Sequence, residues 1–327
     1  MFKLPLSDSD RAALRKHAVL QGKSPNVGDE QLLAIWKGGD VPAPSIDKDF
    51  LQSVELKAIE AAVAAVQIHR PVQIEIKQGS AVHKLPNEHR HAVFEKVLRA
   101  LSVRENVYLV GPAGSGKTTI ASQVAKALNI PFYSTGAVGM AYQLQGFINA
   151  EGKYMETDLY RAYVNGGVFL FDEIDASSAQ ALLAFNAIAA NDLAAFPCGT
   201  VKRHEDFVII AAANTFGNGA DAQYVGRAQL DAATLDRFAF VPMDYDEKLE
   251  LAIASNDEWT RHVQAFRKAV RELGLRHVVS PRASVKGGKL LSAGLSWDDV
   301  EAMTLNRGLS ALDVEKIKSN LPKRIAA

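Results

Sequence analysis

The 327-residue sequence has one cysteine, Cys198, no excess charge of either sign and no long apolar run, and each scarcity excludes a class of protein. A lone cysteine cannot close an intramolecular disulfide or build a cysteine-based zinc site, and it fits a reducing compartment. Lysine plus arginine number 37 and aspartate plus glutamate number 37, so no bulk field draws the chain to nucleic acid or to a membrane surface. The longest apolar runs, such as residues 208–213, fall far short of the roughly 20 residues a membrane helix needs. The first eleven residues are charged early and lack an apolar centre, so no secretory signal is expected there, and the expectation is a cytoplasmic protein without membrane contact. G-x-S-x-G, H-E-x-x-H and paired-cysteine patterns are also missing, which leaves hydrolase, zincin and zinc-ribbon readings without support. What is present is an ordinary globular composition, 48% hydrophobic and 23% charged, of a length that suits two or three units.

Three segments differ in pattern. Residues 1–85 read as a mainly helical region with one strand. Ser7 and Ser9 can cap a first helix, a second (30–37) stops at Gly38-Gly39, Pro42 and Pro44 mark a linker, and a longer helix spans about 47–68. Val72, Ile74 and Ile76 then alternate with polar residues at strand period. Residues 86–245 alternate helix with short, nearly continuous apolar strands at 106–110, 132–133, 168–171, 207–213 and 238–241. Such strands separated by helices predict a five-stranded parallel sheet covered on both faces, an α/β fold in three layers. Residues 246–327 show only helical patterns and predict a small α-helical lid.

Chemistry concentrates in the middle segment. Gly111-Pro112-Ala113-Gly114-Ser115-Gly116-Lys117-Thr118 matches the phosphate-binding loop pattern G-x-x-x-x-G-K-[ST] at every required position, between a strand and a helix. Its glycines let backbone N–H groups turn inward around a phosphate, and the helix behind points its positive end at the same spot. Lys117 would reach the β- and γ-phosphates, the Thr118 hydroxyl would ligate Mg²⁺, and Thr119 is counted with the cradle. Strand 168–171 ends in Asp172-Glu173, where Asp172 would hold Mg²⁺ through its water shell and Glu173 would polarise an attacking water. The alternative is that both carboxylates cap the helix that begins near Ser177 or Ser178.

Asn214 closes strand 207–213, beside the loop, where its amide can bond a γ-phosphate or the water; otherwise it only opens the turn 214–217. Arg237, in Leu235-Asp236-Arg237-Phe238, would lie at the edge of the core and suit contact with a neighbouring subunit's nucleotide; the alternative is a salt bridge to Asp236 or Asp231. Arg227 is a second candidate for that contact. Arg282 begins a helix of the lid and can reach back over the phosphates.

Phosphate loop, Asp-Glu strand end, strand-terminal asparagine, edge arginine and lid arginine stand in the order seen in AAA+ ATPases, which residues 86–300 resemble. Leu144-Gln145-Gly146-Phe147 through Gly152-Lys153-Tyr154 to Arg161-Ala162-Tyr163 and Gly166-Gly167 looks like the inserted hairpin of the MoxR and CobS branch, and so does residues 231–238. The resemblance implies a homo-oligomeric, hexameric ring with ATP and Mg²⁺ between subunits. Arg237, together with or in place of Arg227, would be the finger in trans, with Asn214 as sensor 1 and Arg282 as sensor 2. It also implies adenine as the base, a projecting hairpin at about 146–155, and a partner protein with a von Willebrand A domain. Residues 1–85 match nothing in it. The function it implies is an ATP-driven remodelling motor acting on a partner protein; a nucleic-acid motor and a nucleotide-gated scaffold stand as alternatives.

Weaker signals read more blandly. His89-Arg90-His91 fits a metal pair or a wall of the base pocket less well than a half-exposed helix start, and Lys202-Arg203-His204 fits a DNA-contacting hairpin less well than a solvated turn. Phe147 and Tyr154 suit a polymer grip but are expected to pack on each other. Lys286-Gly287-Gly288-Lys289 lacks the strand a phosphate loop needs, and Cys198 is read as a packing or surface residue.

Overall fold

Apolar runs too short for helices become strands here because each can be buried on both faces of one sheet. The computed structural model describes residues 14, 15, 18, 32, 75–78, 81–84, 88–221 and 223–322. The chain divides into two units, 1–65 and 66–327. In the first, Leu14, Arg15, Ala18 and Leu32 are helical; the remaining expectations for it, including most of the helix at 47–68, lie outside the described residues.

The described part of the second unit begins with an antiparallel hairpin of β1 (Glu75–Gln78) and β2 (Ala81–Lys84); of the strand expected around Val72, Ile74 and Ile76, only Ile76 lies within the described residues, and it has a partner strand that the pattern did not reveal. The core follows. Helix α1 (Phe94–Ser102) precedes β3 (Val107–Val110) and α2 (Lys117–Leu128), and β4 (Phe132–Thr135) leads to α3 (Tyr142–Gln145). A small hairpin, β5 (Phe147–Ile148) and β6 (Tyr154–Met155), projects before α4 (Asp158–Asn165) and β7 (Gly167–Asp172). Helix α5 (Ala179–Ala190), hairpin β8 (Leu193–Phe196) and β9 (Gly199–Lys202), and β10 (Phe207–Ala213) come next, then α6 (Ala232–Leu235) and β11 (Ala239–Pro242). Residues 193–202 thus form a hairpin that turns at Pro197-Cys198.

Five strands form one parallel sheet in the order β11-β3-β10-β7-β4. Alternation along the strands assigns the faces. Val107, Leu109, Leu170, Val208 and Ile210 pack with Phe94, Val97 and Leu101 of α1 and Ile120 and Val124 of α2. Tyr108, Phe169, Phe171, Ile209 and Ala211 pack on the other face with Leu159 and Tyr163 of α4 and Phe185 and Ile188 of α5. Each of the larger apolar side chains contributes about 1.5–3 kcal/mol on burial. Its carboxyl edge presents the ends of β3, β7 and β10 side by side, which is where ligands sit in open α/β sheets.

The remaining elements are helices: α7 (Glu247–Ile253), α8 (Asp257–Glu272), α9 (Pro281–Ser292), α10 (Trp297–Thr304) and α11 (Ala311–Asn320). Side chains of Asp246, Asn256, Ser296 and Ser310 cap four of them. Trp259, Val263, Phe266, Val300 and Ile317 form their shared core. The Lys286–Lys289 stretch lies inside α9, and its glycines admit neighbours: a Cβ on Gly287 would stand 2.0 Å from the Trp259 indole nitrogen. Among the described residues no helix is long and apolar enough to cross a membrane.

Candidate functional site

The phosphate loop hangs from the end of β3 and is fixed from both sides. Gly111 N–H donates to the Ala213 carbonyl at 3.2 Å, and Met243 N–H donates to Val110 at 2.8 Å. A Cβ on Gly111 would fall 1.9 Å from the Met243 carbonyl oxygen, so any side chain there would push the chain after β11 away from β3. Gly116, the residue before α2, has φ 97°, a backbone that L side chains rarely adopt. The twelve-residue α2 thus starts with its unpaired N–H groups facing the loop's interior.

Lys117 is buried, and its ammonium donates to the Gly111 carbonyl (2.7 Å), the Pro112 carbonyl (3.1 Å) and Asn214 Oδ1 (3.0 Å). Burial pushes it down to about 8; Asp172 and Asp175 oppose that shift, and Arg227 and Arg282 add to it. An incoming polyanion would reverse the balance, because desolvation penalises the ammonium only while it lacks a counter-charge. Thr118 Oγ1 donates to Asp172 Oδ2 at 2.7 Å, and Glu173 N–H donates to Asp172 Oδ1 at 3.0 Å. Two hard oxygen donors held this close fit Mg²⁺, which is bound by few protein oxygens and keeps much of its water. Neither carboxylate caps α5: the Ser178 hydroxyl does, accepting from Ala181 N–H. Glu173 is held at φ 53°, a left-handed conformation that costs about 1–3 kcal/mol and collects at functional sites.

A cleft of ≈ 560 Å³ opens over these groups, lined by Lys117, Thr118, Thr119, Asp172, Glu173 and, from α9, Arg282. The lid approaches closely: a Cβ on Gly114 would meet Ser280 Oγ at 2.9 Å and Arg282 Nε at 3.6 Å. Behind the loop lies a smaller, mainly apolar cavity of ≈ 120 Å³, lined among others by Ile120, Met243, Leu249, Ile253 and Pro281. His89 and His91 also line it. Val93 N–H donates to His91 Nδ1, so the ring proton sits on Nε2 and donates to the Asp244 carbonyl at 2.9 Å. Both ring nitrogens of His91 are thereby occupied, and the pair serves as a wall of this cavity. Among the described residues no cluster of three or more His, Cys, Asp or Glu is suited to a metal.

Four residues essential to the geometry escaped sequence reading. Asp175, fully buried, accepts from Thr215 N–H (3.2 Å) and Thr215 Oγ1 (2.9 Å) and pairs with Arg227 at 3.0 Å. Its signal was a third carboxylate in Asp172-Glu173-Ile174-Asp175. Tyr224 and Tyr245 clamp the loop apex: Ala113 N–H donates to Tyr224 Oη at 3.0 Å, and Tyr245 Oη donates to the Ala113 carbonyl at 2.9 Å. Arg267 lies over the Tyr245 ring at 4.6 Å and makes a two-pronged pair with buried Glu250, at 2.9 and 2.7 Å. Nothing local in the sequence announces these contacts.

The two candidate edge arginines differ. Arg237 is exposed and its side chain has no hydrogen-bond or ion-pair partner among the described residues, including Asp236 and Asp231. Arg227 faces inward, paired with Asp175 and, at 3.7 Å, with Glu173 of its own chain. In the small hairpin, Phe147 packs edge-on against Tyr142 and Tyr154 against Tyr160, not against each other as expected. Arg203 pairs with Asp192 and neighbouring Arg104 with Asp206, so much of the basic character near Lys202 is neutralised. Cys198 is exposed.

Residues 107–234, less than half of the chain, match the family model described as ATPase family associated with various cellular activities (AAA). An uncharacterized protein of Staphylococcus haemolyticus is 27% identical over 167 residues, 47% of this chain and 61% of that protein; the chain thus spans less than two thirds of this relative. One from Staphylococcus epidermidis is 24% identical over 212 residues, 59% of this chain and 78% of that protein. Among solved structures, RuvB of Thermotoga maritima is similar at 16% identity and a TM-score of 0.40, covering 69% of this chain and 66% of that one. NtrX of Brucella abortus in complex with ADP is similar at 15% identity and a TM-score of 0.43, covering 95% and 78%. Likenesses of that size say nothing about partner or substrate. The stretch from Val107 to Thr234 is thus similar to the AAA ATPase family, and it holds four of the five strands of the parallel, three-layer sheet, with β11 and the C-terminal helices following it.

Proposed function

We propose that the chain is an ATP-hydrolysing ring motor of the MoxR/CobS-like branch, which works at subunit interfaces to remodel or activate a partner protein. The observation that carries this reading is the convergence, in one cleft, of Lys117, the bonded pair Thr118 and Asp172, Glu173 and the lid residue Arg282. Lys117 exchanges its loop carbonyls for phosphate oxygens. Thr118 and Asp172 would hold Mg²⁺, which when bound neutralises charge on those oxygens. Glu173 polarises the attacking water, and Asn214, already bonded to Lys117, orients it. Arg282 reaches the phosphates from α9, so nucleotide bridges core and lid. Exposed Arg237, whose side chain has no partner among the described residues, is the group available to a neighbouring copy, where such an arginine is worth about 10³–10⁵ in rate.

The hairpin β5–β6, with Phe147, Ile148 and Met155 exposed, is where a partner would be engaged; a protein with a von Willebrand A domain is the class the branch implies. Paired charges around Lys202 favour this over the nucleic-acid motor. The test is nucleotide binding by Lys117→Ala: the reading expects at least about 100-fold weaker ATP binding, since several charged contacts are lost. Undiminished binding would contradict it.

A further inference from the structure

Arg227 makes an unusual contact for a residue expected at a subunit edge. Its side chain is only 13% exposed and bridges two carboxylates of its own chain, Asp175 at 3.0 Å and Glu173 at 3.7 Å. Asp175 has no exposed surface, so without Arg227 it would be a buried charge lacking its cation, which is strongly destabilising. Arg227 is therefore tied to this site and not available to a neighbour. Glu173, by contrast, is half exposed and sits on a left-handed backbone that does not by itself fix where its carboxylate points. Asp175 also accepts both hydrogen bonds that Thr215, the residue after Asn214, donates, and the Ala228 amide donates to its carbonyl at 2.7 Å. One buried carboxylate thus anchors the arginine that faces Glu173 and the strand end that presents Asn214.

We infer that Arg227 is a positioning residue acting in cis: anchored on Asp175, it sets the Glu173 carboxylate over the cleft. The inference rests on the reading of Glu173 as the group that polarises water. It predicts an effect on turnover and little on nucleotide affinity, because the Arg227 side chain pairs with Asp175 and Glu173 and not with Lys117, and removing Arg227 and Asp175 together takes away opposing influences on the Lys117 ammonium.

The experiment compares full-length wild type, Arg227→Lys and the double variant Arg227→Gln/Asp175→Asn, which removes both charges so that neither is orphaned. Steady-state ATP hydrolysis, binding of a fluorescent ATP analogue and thermal melting are read on each. For the double variant, kcat is expected to fall about 10²-fold, as misplacement by an ångström does, with KM and analogue affinity within about 3-fold. Arg227→Lys should recover part of kcat. In a Glu173→Gln background the double variant should cause no further loss. Mixed with Lys117→Ala subunits it should show no recovery, because its own site is defective whatever its neighbour supplies. Recovery in that mixture would overturn the inference in favour of action on the neighbour. So would an unchanged kcat, or a parallel fall of kcat, analogue affinity and melting temperature, which marks a merely structural role. The underlying reading fails separately: if Glu173→Gln turns over at the wild-type rate, both fall, whereas a crippled Glu173→Gln beside an unaffected Arg227 variant sinks this inference alone.

Discussion

The Tyr245 hydroxyl donates to the carbonyl of Ala113 at 2.9 Å, which fastens the apex of the phosphate loop to the segment that leads into the lid. Burial pushes this phenol up, so it stays a donor across the ordinary pH range. Arg267 of α8 stacks on the same ring and is locked by Glu250 of α7, so the loop, the segment at Tyr245 and two C-terminal helices form one connected set of contacts.

Removing only the hydroxyl tests that connection. Tyr245→Phe keeps the ring and its stacking but leaves the Ala113 carbonyl without this donor. The expected loss is about 1 kcal/mol, read as a melting temperature lower by about 2–4 °C. Nucleotide affinity should fall with it, because the loop apex is less fixed. A variant indistinguishable from wild type in melting and in nucleotide titration would show that the contact couples nothing.

The lid carries its own pH sensitivity. Glu301, nearly fully buried, accepts from His262 (3.1 Å), Lys318 (2.9 Å) and Asn306 (3.3 Å). The bond from His262 is the first cause that takes its carboxyl down to about 2; burial opposes it, and Lys318 and Asn306 assist. A carboxylate held lower in the folded chain than in the unfolded one stabilises fully above the ordinary value near 4.5, and that stability fades as pH falls toward 2. Glu301→Gln should therefore cost up to about 3 kcal/mol near neutral pH and progressively less between pH 4.5 and 2. Trp259 and Trp297, packed around His262, report it by fluorescence-monitored unfolding. A cost that does not change with pH over this window would contradict the assignment.

Arg237 makes a prediction about assembly. Arg237→Ala should hydrolyse ATP at least about 10³-fold more slowly yet bind it normally. Mixed with Lys117→Ala subunits, which retain the arginine, it should regain part of its activity at junctions where an intact arginine faces an intact cradle. Normal hydrolysis by Arg237→Ala alone, or a mixture with no recovery, would remove this residue from the site.

What could be read from sequence follows the range of the interactions. The five strands were legible because residues such as 207–213 are buried on both faces and must be apolar throughout, and the loop because chain geometry fixes the spacing from Gly111 to Thr118. The C-terminal segment was legible as helical because its apolar residues recur at helical spacing. The β8–β9 hairpin was hidden because two four-residue strands around Pro197-Cys198 look like one interrupted run. Tyr224 and Tyr245 were invisible for another reason: they lie 111 and 132 positions from Ala113, and an isolated tyrosine carries no sign of where its hydroxyl goes. Asp175 stood beside recognised residues, yet only the fold shows that it is the buried one.

The most direct test of the central claim, that this cleft splits the γ-phosphate with Glu173 polarising the water, is single-turnover hydrolysis by Glu173→Gln beside its affinity for ATP. The account predicts binding at least as tight as wild type with turnover lower by about 10²–10⁴-fold. Turnover at the wild-type rate would contradict it.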